Sequence, residues 1–161
     1  MSKKIVLREV NIKDREIIFK WRNDRESRKQ SFTTQPISYS QHLRWFKKTL
    51  HDPSCSFYIG INEKGKKCGV VRFNMKNDSV AEINVVVSPG ERRKGIGREI
   101  ICKGVNLFFK KRKTKLVIAR IKEKNIASLK AFSITGFFEM FQYEDRNAGR
   151  INVLGCLNPY E

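Results

Sequence analysis

Apolar and polar positions along the chain divide it into alternating helical and extended segments. A short apolar-rich run at residues 5–10 reads as a first strand. Asn11 is placed to cap a helix over roughly 13–23, with Asp14 in its first turn and Ile17, Ile18 and Trp21 forming an apolar stripe. After a polar stretch, Ser38 stands three residues before Gln41, a capping-box spacing that opens a second helix at about 39–51. Leu43, Phe46 and Leu50 recur there at helical intervals, and Asp52-Pro53 ends the run because the residue before proline disfavours helical angles. Three strands are expected next, at Cys55–Ile61, 68–76 and Val80–Val87, separated by turns at 62–65 and 77–79. A glycine-bearing basic loop at 90–97 leads into a long helix reaching about Lys111, with Ile96, Ile100, Ile101, Val105 and Phe108 on one face. A strand at 116–121, a helix at 126–135 stopped by Gly136, and strands at 137–143 and 151–157 complete the pattern.

The order βααβββαβαββ implies an α/β (α+β) fold with a mixed sheet of about seven strands flanked by four helices. The first half is an antiparallel meander. In the second half, strand, loop, helix and strand form a right-handed crossover between parallel neighbours. Ligands of such sheets bind beyond the carboxyl ends of strands, so the end of Val80–Val87 and the following loop are the place to look. With 161 residues, 40% hydrophobic and 31% charged, the chain 1–161 is expected to be a single globular domain. The longest stretch free of charge, 30–43, is rich in Ser, Thr and Gln and cannot span a bilayer. Lys3-Lys4 precedes only three apolar residues, too few for a signal peptide, so the cytoplasm is the expected location. Cys55, Cys68, Cys102 and Cys156 form no CxxC pair, and only His42 and His51 could join them. Reduced thiols in or near the core are expected, with no metal site.

Charge changes the picture most. The 34 Lys and Arg against 16 Asp and Glu give a formal net charge of +18, which attracts nucleic acid, anionic lipid or a phosphorylated small molecule. Ten of the basic residues lie within 91–115, beside the glycine loop. There a turn feeding a helix presents several backbone N–H groups at the positive end of the helix dipole, a geometry that receives phosphate. The loop lacks the GK[ST] ending of a Walker motif, and of the dinucleotide GxGxxG only Gly95 and Gly97 fit. The cluster at 110–113 sits at a helix C-terminus, where cations are favoured without a ligand.

Arg92, Gly95 and Gly97, after a strand ending in Val87-Ser88-Pro89, resemble the R/Q-x-x-G-x-G/A signature of the GNAT acetyltransferase superfamily. Downstream, Asn125 to Ser128 with Phe132 and Gly136-Phe137 is similar to that family's second cofactor motif. The resemblance implies the GNAT fold over nearly the whole chain and acetyl-CoA as cofactor. The pantetheine arm would pair with the backbone of Val85 and Val87. The pyrophosphate would rest on N–H groups of Arg93, Lys94, Gly95, Ile96 and Gly97, with Arg92 or Lys94 screening its charge. Asn125 and Ser128 would reach the cofactor from the other side, and Phe132 would form an apolar wall. By the same resemblance Glu82 occupies a general-base position, with His42 as a second titratable candidate. Many relatives carry tyrosine as the acid where this chain has Phe132, which leaves Ser128, Tyr143 or water.

The acceptor would lie against the first two helices and last strands. Residues 21–46, including Arg22, Asn23, His42 and Trp45, resemble the branch of UDP-4-amino-4,6-dideoxy-sugar N-acetyltransferases of pseudaminic acid biosynthesis. Arg22, Arg25 and Arg28 could meet a nucleotide-sugar diphosphate, while Trp45, Phe73, Phe141 or Tyr143 stack on a base or sugar, with Arg72 alongside. Trp21 and Trp45 also fit core positions. N-terminal acetyltransferases of ribosomal proteins are the neighbouring branch and an alternative function. A non-catalytic nucleic-acid-binding module is another, disfavoured by the absence of an RNP-like aromatic motif. A small-molecule amine, no membrane, and a homodimer complete the expected partners.

Overall fold

The computed structural model describes residues 4–161; Met1 to Lys3, where the signal-peptide reading begins, lie outside the described residues. The strands are β1 (Val6–Glu9), β2 (Cys55–Ile61), β3 (Lys67–Met75), β4 (Val80–Val87), β5 (Leu116–Lys122), β6 (Phe138–Asp145) and β7 (Gly149–Leu157). The helices are α1 (Arg15–Asn23), α2 (Arg25–Gln30), α3 (Tyr39–Leu50), α4 (Ile96–Lys111) and α5 (Ile126–Ile134), with 3-10 turns at Ile12–Asp14 and Pro89–Glu91. The expected Ser38–Gln41 capping box forms, and the expected Asn11 cap is itself a second box. Asn11 accepts from the Lys13 N–H while Asp14 reaches back to the Asn11 N–H, and Ser38 and Gln41 exchange the same pair of bonds.

The expected four helices become five. Between the two anticipated after β1 lies α2, a six-residue helix with no buried residue, started by Asp24 accepting from the Ser27 N–H. Its cause is a cap and the tertiary ion pair of Asp24 with Arg92, not an apolar stripe, so hydrophobic periodicity gave no sign of it.

The seven strands form one mixed sheet in the order β1-β2-β3-β4-β5-β7-β6, in which only β4 and β5 are parallel. The last strand inserts between β5 and β6. Alternation along the strands sends side chains to two different layers. Val71 and Phe73 of β3 with Ala81 and Ile83 of β4 join Ile96, Ile100, Ile101, Val105 and Phe108 of α4 in the larger core. Phe73 stacks on Phe108 with centroids 4.4 Å apart. Gly104 lets α4 approach β3: a Cβ there would meet Val71 Cγ1 at 3.0 Å. The opposite face packs Phe57, Ile59 and Val70 beneath Ile18, Trp21 and Phe46 of α1 and α3. Cys68 is buried and Cys55 and Cys156 are half-buried, but Cys102 is exposed on α4, contrary to the expectation of four core or near-core thiols. The 110–113 cluster is partly engaged in holding the fold, with Arg112 donating to the Pro53 carbonyl at 2.6 Å. Among the described residues no helix is long and apolar enough to cross a membrane.

Candidate active site

β4 and β5 begin as parallel neighbours and then part. Their pairing covers Val80, Ala81 and Glu82 and goes no further, whereas β4 remains paired to β3 as far as Val87. The backbone from Ile83 to Val87 therefore presents an edge towards β5 that β5 does not fill. Val85 and Val87 turn their side chains into the larger core, which fixes the strand while leaving that edge available to an extended ligand.

The loop after β4 is held from several sides. The Ser88 N–H donates to the Cys68 carbonyl at 2.9 Å. Buried Glu91 takes Lys66 at 2.6 Å and Lys94 at 3.6 Å, and Lys94 also donates to the Gly90 carbonyl at 2.6 Å. Arg93 adopts φ 60° and Gly95 φ 78°, so two left-handed residues turn the chain into α4. For a non-glycine residue that conformation costs about 1–2 kcal/mol. The turn leaves the first N–H groups of α4, including those of Ile96 and Gly97, beyond the reach of intrahelical carbonyls. A Cβ on Gly97 would press on Val87 Cγ2 at 3.3 Å, whereas nothing lies within 4 Å of one on Gly95. Arg92 does not point freely at this turn: its Nη2 donates to Asp24 Oδ2 at 2.6 Å and to Ser27 Oγ at 2.9 Å. On the β5 side, Asn125 caps α5 by accepting from the Ser128 N–H at 3.3 Å. Phe132 is buried edge-on against Phe137 at 4.9 Å.

The α1–α3 face carries the charges. Glu82 is 5% exposed, and each carboxylate oxygen has a cation: Oε1 takes Arg120 Nε at 2.7 Å, and Oε2 takes Lys76 Nζ at 2.8 Å. Burial pushes this carboxyl up, but Lys76 and Arg120 outweigh it and hold it below its ordinary value. Arg120 continues to the Tyr143 hydroxyl at 3.4 Å and lies 4.7 Å over the Phe32 ring. Nearby, the guanidiniums of Arg22 and Arg72 lie 4.1 and 5.0 Å from the ring centroid of Trp45. Neither makes a salt bridge among the described residues, and Arg22 Nη1 is buried without a hydrogen-bond partner. Burial, and then the like charge of Arg72, push Arg22 down to about 10. Burial lowers Arg72 as well.

Four other expected acceptor residues have structural duties. Asn23 exchanges two bonds with the Ile37 backbone, at 2.8 and 2.9 Å, and Arg28 donates to the Asn23 and Thr34 carbonyls. His42 is fully buried among Phe19, Trp45 and Phe46, with Nε2 2.9 Å from the Arg15 carbonyl. Since a carbonyl only accepts, Nε2 carries the proton and the ring is a neutral core group, not a surface for a ligand. Phe73 faces α4 on the far side of the sheet, so the expectation that it stacks on the acceptor is corrected. Lys76, Arg120 and Phe32 were not singled out from the sequence: Arg120 meets Glu82 and Phe32 only through the fold, and Lys76 reaches Glu82 across the β3–β4 turn.

A parted strand pair feeding a left-handed turn and a helix N-terminus suits an extended amide-bearing ligand ending in phosphates. The sequence matches the acetyltransferase (GNAT) domain over residues 4–137. The chain belongs to the GNAT acetyltransferase family. It is 28% identical over 129 residues to the acetyltransferase PseH of Campylobacter jejuni, covering 80% of each chain. It is also 28% identical over 142 residues to the uncharacterized protein MJ1062 of Methanocaldococcus jannaschii, covering 83% of this chain and 28% of that one. Its fold superposes with TM-score 0.86 on a spermidine N-acetyltransferase from Vibrio cholerae in complex with CoA and spermine, at 17% identity, covering 96% of this chain and 95% of that one. The GNAT assignment makes the protein an N-acetyltransferase that uses acetyl-CoA. The free β4 edge presents unpaired backbone groups, and the turn into α4 presents the first N–H groups of the helix.

Proposed function

We propose that this GNAT enzyme acetylates the amino group of a nucleotide-linked amino sugar. The observation that carries the reading is the pair Arg22 and Arg72 beside Trp45, two partly buried guanidiniums with no carboxylate between them. Keeping like charges together in a half-buried place costs stability, and an anionic ligand offsets that cost by supplying the missing acceptors. A polyamine or basic peptide would add positive charge to positive charge. A diphosphate carrier brings acceptors matched to guanidinium forks, and Trp45 offers a ring face beside them. The resemblance of residues 21–46 to amino-sugar acetyltransferases points the same way.

Acetyl-CoA supplies an acyl thioester and a thiolate leaving group. The backbone of Val85 and Val87 would hold the pantetheine, while the N–H groups of Arg93 to Gly97, with Arg92 or Lys94, would receive the pyrophosphate. Asn125 and Ser128 would reach it from the β5 side, with Phe132 as an apolar wall behind them. Glu82 lies where β4 and β5 part and would take the amine proton through water. As the amine nitrogen bonds the acetyl carbon and the carbon–sulfur bond breaks, Ser128 or water would supply the proton that the leaving sulfur takes up.

The test is CoA thiol release with UDP-linked amino sugars, spermidine and N-terminal peptides offered in parallel. Preference for the nucleotide sugar, lost on removing its diphosphate, supports the reading. Equal or faster turnover of spermidine or peptide sinks it.

A further inference from the structure

We infer that Asp24 and Ser27 are positioning residues for the cofactor's phosphates, acting through Arg92. The contact joins residues 68 and 65 positions apart, so it is made by the fold and not by local sequence. Its form carries the inference. One nitrogen, Nη2, makes both bonds, to Asp24 Oδ2 at 2.6 Å and to Ser27 Oγ at 2.9 Å, and neither bond uses Nε or Nη1. The planar fork of arginine lets one edge be fixed by a carboxylate while the other serves a second oxyanion.

Asp24 is itself a firm anchor. Its N–H ends α1 by donating to the Lys20 carbonyl, and its carboxylate begins α2 by accepting from the Ser27 N–H at 3.1 Å. Asn23, one residue earlier, is clamped to Ile37, and Arg28 to Thr34. The short helix α2 buries no side chain, so packing does not account for it. It acts as a bracket that crosses to the loop and holds Arg92, with Lys122 donating to the Lys29 carbonyl from the β5 side at 3.0 Å.

Arg92 stands immediately before left-handed Arg93 and the turn into α4. An arginine already ordered there has less rotamer freedom to lose when a phosphate arrives, which is worth roughly three- to tenfold in affinity. The opposing possibility is that Asp24 competes with the phosphates for Arg92. The two predict opposite signs.

The deciding experiment is calorimetric titration of the full chain with CoA and with pantetheine, which lacks phosphates. Asp24→Asn keeps a good helix cap while removing the charge. The expected result is CoA binding weakened three- to tenfold, pantetheine binding unchanged, and no further loss when Asp24→Asn is added to Arg92→Ala. Ser27→Ala gives a smaller loss of the same pattern. Unchanged or tighter CoA binding by Asp24→Asn overturns the inference, as does an equal loss for pantetheine, which marks a general structural role. No acceptor is present in these titrations, so their outcome is independent of whether the nucleotide-sugar reading holds.

Discussion

The two faces of the sheet solve different problems. Towards α4 the side chains are apolar and tightly stacked, with Phe73 on Phe108 and Gly104 against Val71. Towards α1 and α3 the smaller core shares its face with Glu82, Arg72 and Arg120, and with Arg22 approaching from α1. One face holds β4 and α4 in register, which fixes the parted strand and the turn that we propose receive acetyl-CoA. The other accepts charges that a purely stabilising core would exclude. A fold can carry such a strained face because the opposite one is well packed.

That contrast can be broken on the charged side first. Glu82→Gln is expected to lower kcat by roughly 10²–10⁴ with little change in CoA affinity; steady-state rates and CoA titration check both, and undiminished turnover removes Glu82 as proton acceptor. On the apolar side, Phe108→Ala should cost about 3–5 kcal/mol in denaturant unfolding. Arg72→Met sharpens the comparison by moving two quantities in opposite directions. Thermal stability should hold or rise as like-charge repulsion is removed, while KM for an anionic acceptor rises roughly 10–100-fold through loss of charge-assisted bonds. An unchanged KM would leave the arginine pair without an acceptor role.

The smallest effect belongs to His42. Burial holds this ring below its ordinary value of 6.5, although its bond to the Arg15 carbonyl pulls the other way. The unfolded chain therefore binds a proton that the folded chain resists. The stability from neutral His42 is complete above about 6.5 and declines as pH falls below it. His42→Phe should flatten that part of the stability profile, measured by chemical unfolding between pH 7.5 and 5.5.

Legibility in the sequence followed the range of the interactions. Local caps act over three residues: the Ser38–Gln41 box and the Asn11 cap follow from spacing, and the structure adds that Asp14 closes the Asn11 cap into a second box. The extent of α4 followed from its apolar face and the glycine turn before it. By contrast, α2 depends on Asp24 and on cationic contacts from Arg92 and Lys122, and so left no periodic trace. His42 and Trp45 stand on one helix three residues apart and looked alike as ligand candidates. Packing then buried the imidazole and left the indole beside two arginines.

What the sequence determined by itself was the succession of strands and of the helices other than α2, the Asn11 and Ser38 caps, the positive charge around the turn and the family to which the chain belongs, all encoded by neighbours along the chain. Tertiary structure alone decided that β7 enters between β5 and β6 and that β4 and β5 part after Glu82. It also decided which cations Glu82 and Asp24 receive. Those outcomes join residues tens of positions apart, and such pairings are selected by which surfaces bury one another, a property no single segment contains.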